Sequence, residues 1–90
     1  MNEPTLADMG YRINMVCCTF VICNEIEMGL SRKSVALSYA LAMKSEAEGA
    51  DKPDWRKINE AAIARWGVKG LSALKDRAYG IAVGRVDPYR

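Results

Sequence analysis

Three breakers cut this chain into stretches whose apolar residues recur at helical spacing: Gly29, the run Gly49-Ala50-Asp51-Lys52-Pro53-Asp54, and Gly67-Val68-Lys69-Gly70. That punctuation restricts the 90 residues to one all-α domain, a compact bundle of about four helices. The first helix is expected from about 5 to 28, capped by Thr5 with Asp8 and stopped by Gly29. Leu6, Met9, Ile13, Val16, Cys17 and Phe20 follow its period, and Gly10 weakens its first turns. Midway the pattern becomes two-sided, because Met15, Cys18 and Ile22 fall opposite Val16 and Phe20. A helix apolar all round is either central in the fold or buried in an oligomer. The β-branched content of Val16 to Ile22 leaves a strand as the alternative.

Ser31 or Ser34 can cap a second helix to about Glu48, which makes 1–48 an apolar antiparallel hairpin. Its interior is rich in small residues, so a neighbour can approach closely. Asp54 caps a third helix to about Trp66. Trp55, Ile58, Ala62, Ile63 and Trp66 share one face of it, and Arg56, Lys57, Glu60 and Ala64 the other. A fourth helix from about Leu71 to Tyr79 turns Leu71, Leu74, Ala78 and Ile81 inward. Gly80 and Gly84 loosen the chain, and the 82–90 tail is frayed or a strap.

Charge divides the chain in two. Residues 1–51 carry four Lys or Arg against seven Asp or Glu, a net −3; residues 52–90 carry nine against four, a net +5. A packing half and a half that meets a partner is the natural reading. With half the residues hydrophobic and 27% charged, the composition is that of a folded domain, and a pI near 8.5 permits nucleic-acid binding without demanding it.

The start lacks a positively charged leader, so no signal peptide is expected. The most apolar run, Met15 to Cys23, is nine residues, against the about 20 of a membrane span. Cys17, Cys18 and Cys23 read as buried free thiols of a reducing cytoplasm.

Histidine is absent, which removes the Ser–His and Cys–His nucleophile systems and the commonest transition-metal ligand. The cysteines lack Cys-x-x-Cys spacing, and no phosphate-binding glycine loop occurs. Ser72-Ala73-Leu74-Lys75 matches Ser-x-x-Lys formally, but such enzymes need a cleft and further motifs. Glu25 and Glu27 point about 200° apart on a helix and do not pair. No catalytic residue, metal or cofactor is expected. Binding is what remains.

The basic pair over 54–81 resembles a helix-turn-helix, with Ser72, Lys75, Asp76 and Tyr79 on the exposed face of its second helix and Arg65 and Lys69 at the rim. In that reading Arg56, Lys57, Arg65, Lys69, Lys75 and Arg77 face phosphates or an acidic protein surface. A plain α-hairpin with solvated charges is the bland alternative. A protein partner is the second reading, since Trp55, Arg56, Arg65 and Trp66 are residue types of interface hot spots; both indoles can equally be core. A homodimer through Cys18 and Ile22 is compatible with either.

The stretch Asp54-Trp55…Ile58-Asn59…Ala62-Ile63…Arg65-Trp66…Leu71…Leu74-Lys75…Ala78 resembles short open reading frames of bacteriophages and prophages. The resemblance covers roughly residues 50–80 and brings no assigned activity. It implies a small, cytosolic, non-enzymatic protein of a mobile element. Such proteins commonly regulate phage transcription or block a host machine, CRISPR effectors included.

Overall fold

The computed structural model describes residues 19–50 and 52–89. Three helical spans occupy them: α1, helical over 19–27; α2, Arg32–Ala47; and α3, Trp55–Ala82. No strand occurs among the described residues. The architecture is all-α, with three helical spans where four were expected. The fourth expected helix is the C-terminal arm of α3, which begins at once after a single non-helical residue, Gly67 (φ 79°, ψ 175°), and runs on to Ala82. The expected turn of four residues is therefore one residue long, shorter than the turn of about three or four of a helix-turn-helix.

Each helix ends for the same local reason. Gly29, Gly49 and Gly84 take positive φ, and the backbone N–H groups that follow fold back on the last carbonyls. Leu30 N donates to Glu25 O at 3.1 Å, Ala50 N to Ser45 O at 3.0 Å, and Arg85 N to Gly80 O at 2.8 Å. This is the Schellman closure, which glycine enters without a Cβ penalty. At the starts, Ser31 caps α2 by accepting from Ser34 N, and Asp54 caps α3 by accepting from Lys57 N. Of the two serines the sequence offered, Ser31 is the cap.

The core runs through all three spans: Ile22, Cys23 and Ile26 from α1; Val35, Ala36, Tyr39, Ala40 and Ala42 from α2; Ile58, Ala62, Leu74 and Ala78 from α3. Five alanines among these let the helices approach closely, as the small residues of α2 anticipated. Polar stitches join the layers. The Ser38 hydroxyl donates to Glu25 Oε2 at 3.1 Å, and the Tyr39 hydroxyl to Asn59 Oδ1 at 2.8 Å. Asp54 N donates to Thr19 Oγ1 at 2.9 Å, which ties α1 to the start of α3.

Two face assignments differ from the sequence reading. Ile22, offered there as a dimer contact, is 1% exposed inside a single copy, whereas Phe20, placed on the expected core stripe, is 64% exposed. Ile22 and Ile26 lie one turn apart and share a face, and Phe20 lies about 160° around from it. Ile63 was placed with Trp55 and Ile58 but is 39% exposed. It sits about 140° around from Ile58, at the edge of the stripe that Ala62 centres. The other residues read for helix 1, among them Leu6, Met9, Ile13, Val16, Cys17 and Cys18, lie outside the described residues.

The tail is the strap of the two forms considered. Val86 packs on Gly80, its backbone N donates to Gly80 O at 3.1 Å, and Arg77 Nη2 donates to Asp87 O at 3.5 Å. Gly80 does not loosen α3. Its missing side chain is the space that Val86 fills.

Candidate polyanion-binding cleft

The expected phosphate contacts do not form one surface. Arg56 is paired with Glu60 at 3.4 Å on an open face, and Lys57 lies 5.5 Å from the Phe20 ring. Lys75 and Arg77 are about 200° apart around α3 and so face opposite flanks. Lys75 lines a cleft with Tyr39 and Trp55; Arg77 lines another with Arg32 and Lys33. Ser72, Lys75, Asp76 and Tyr79 are exposed, as read, but Tyr79 and Lys75 belong to the aromatic cleft.

Arg65 has a different task from the one expected. Its guanidinium donates to Ile26 O at 3.4 Å, to Gly29 O at 3.1 Å and to Leu30 O, all carbonyls at the end of α1. A helix C-terminus carries partial negative charge on unsatisfied carbonyls, and a forked cation answers both needs. The same guanidinium lies 4.6 Å from the Trp66 ring. Trp66 and Trp55 are each half-buried, neither fully core nor free. Trp55 is fixed by its Nε1 donating to Glu46 Oε1 at 3.0 Å and by a tilted contact with Tyr39 at 4.8 Å.

Arg65 therefore draws the α1–α2 turn onto the Gly67 break, and cations of both halves of the chain collect there. Arg32 and Lys33 begin α2, whose first turn holds no acidic residue. Arg32 Nη1 lies 3.3 Å from where a Cβ would stand at Gly70, and exposed Lys69 precedes that glycine. Arg32, Lys33 and Arg77, with Ala73 and Leu74 as the floor, line a cleft of about 310 Å³. Among the described residues no carboxylate pairs with Arg32 or Lys33. The neighbouring groove, on the Arg65 side, carries Glu27.

This placement opposes the local electrostatics. A helix N-terminus favours anions, and each cation in its first turn costs about 0.3–1 kcal/mol. Repulsion between Arg32 and Lys33 adds to that. A bound anion removes both costs. Sequence reading missed Arg32 and Lys33 because they sit in the half with net negative charge. The available signal was their position, two cations directly after an N-capping serine.

Elsewhere the described residues gather no three Cys, Asp or Glu side chains able to hold a metal, and no helix among them is long and apolar enough to cross a membrane. Cys23 is a buried free thiol; burial raises its pKa above the ordinary 9.0, with Lys57 pulling the other way. Burial likewise raises the Tyr39 hydroxyl above 10.0, partly offset by its bond to Asn59. No protein-family model, curated protein or solved structure matches this chain.

Proposed function

We propose that this protein is a non-catalytic binding module that grips the phosphate backbone of a nucleic acid, alone or within a nucleoprotein, through the cleft of Arg32, Lys33 and Arg77, with Lys69 at its edge. The observation that carries this reading is the presence of two cations without described carboxylate partners on the first turn of α2, facing a third cation across one cleft. Local rules broken without a structural return mark functional surfaces. Because the cleft takes cations from α2 as well as α3, the contact is with phosphates and needs no recognition helix in a groove. The test is titration of the purified protein with mixed-sequence duplex DNA across salt. Removing Arg32 and Lys33 together weakens binding and flattens the salt slope, while the fold, read by circular dichroism, is unchanged.

A second reading rests on Ile63 and Val68, 39% and 71% exposed on either side of Gly67. Apolar side chains beside cations suit a protein surface, and occupation of a site on a larger host machine is one of the two modes the phage resemblance implies. Under it, the protein shows no DNA binding even at low salt.

A further inference from the structure

On the flank of α3 opposite the basic cleft, Tyr39, Met43, Glu46, Ala47, Trp55, Lys75, Asp76 and Tyr79 enclose a cleft of about 550 Å³. That volume lies within the range of about 300–1,000 Å³ typical of small-ligand sites. The walls are aromatic and the polar groups are mostly acidic. Glu46 is held at the wall, because its Oε1 accepts from Trp55 Nε1. Asp76 is exposed, and no described residue pairs with it. Two carboxylates against Lys75 leave the lining at net −1.

The chain shows what its aromatic rings attract. Lys57 lies over Phe20 at 5.5 Å, Arg65 over Trp66 at 4.6 Å and Arg85 over Tyr79 at 5.5 Å. Among the described residues, no cation lies over the Tyr39–Trp55 pair, although Glu46 is bonded to Trp55 and Asp76 lines the same cleft. Aromatic faces backed by carboxylates bind organic cations, since the ring quadrupole and the formal charge attract the same group. We infer that this cleft is a binding site for a small organic cation, an ammonium or quaternary ammonium on a short aliphatic stem. The stem lies along Met43 and Ala47, and the charged head lies against Trp55 within reach of Glu46 and Asp76.

The probe is choline chloride, followed by the indole N–H signal of Trp55 in the ¹⁵N-labelled protein, with sodium chloride at matched ionic strength as control. The Trp55 signal shifts saturably, that of Trp66 stays in place, and the neutral isostere 3,3-dimethylbutan-1-ol binds about tenfold more weakly, as loss of a desolvated cation–π contact requires. Asp76→Asn, a surface change that leaves the Trp55–Glu46 bond intact, weakens choline severalfold, and Lys75→Gln strengthens it. Equal binding of the alcohol, no saturable shift of Trp55, or indifference to both substitutions overturns the inference. Failure here leaves the basic cleft untouched, because the two sites share no residue.

Discussion

Replacing Arg65 with methionine keeps the aliphatic stem and removes the charge, so it isolates what the guanidinium does for α1. Three carbonyls, of Ile26, Gly29 and Leu30, lose their charged donor, and Trp66 loses the cation above its ring. The group is exposed, so each bond stands at the low end of its range, about 0.5 kcal/mol. The ring contact adds about 0.5 kcal/mol and the helix end a few tenths more. Arg65→Met therefore costs about 2 kcal/mol. With a urea slope of about 1–1.5 kcal/mol/M for a domain this size, the unfolding midpoint falls by about 1.3–2 M. The melting temperature falls by roughly 8–16 °C. Arg65→Lys recovers at most half, because an ammonium cannot fork across three separated carbonyls. Urea unfolding followed by circular dichroism makes the measurement. A loss below about 0.5 kcal/mol, together with a marked fall in DNA affinity, refutes the assignment and returns Arg65 to the partner surface.

Gly67 holds positive φ with extended ψ, a region essentially closed to other residues, and a Cβ there meets nothing within 4 Å. Gly67→Ala therefore loses about 1–3 kcal/mol from backbone strain alone, measured by the same unfolding assay; an unchanged midpoint shows that the break is not required. Stability also falls in alkali. Cys23 and Tyr39 have folded pKa values raised above the ordinary 9.0 and 10.0. Their neutral forms favour the native state, so this contribution is complete below about pH 9 and is lost as pH rises through the folded values. Tyr39→Phe reduces the part of the fall that lies above about pH 10, where the unfolded chain's tyrosine begins to ionise, in paired urea titrations, and an identical fall there assigns it elsewhere.

The helical spans were legible because their punctuation is local. Ser31 and Asp54 act through side-chain oxygens on the backbone N–H three residues on, the glycines at 29, 49 and 67 through their own backbone, and each starts, stops or breaks a helix where the sequence places it. Leu74 and Ala78 were legible because a helix with one apolar stripe has one inside. Phe20 and Ile22 were not, since α1 is apolar on both sides and period alone does not say which face the neighbours take. The basic cleft was hidden for a different reason. Arg32 and Lys33 meet Arg77 only once α2 folds back on α3, so dividing the charge along the chain left them in the acidic half. Arg65 looked like a surface cation because its partners are backbone carbonyls, and carbonyls leave no mark in a sequence.

The most direct test of the central claim is the salt dependence of duplex DNA binding by the unmodified protein and by the variant carrying Arg32→Ala and Lys33→Ala. Three phosphate contacts predict a log–log slope of about −2.7, so affinity drops roughly 40-fold between 50 and 200 mM salt. The double variant binds more weakly, with a slope near −0.9, about one contact. No binding by the unmodified protein at the low end, or a double variant with the same affinity and slope, contradicts the assignment of this cleft to a phosphate backbone.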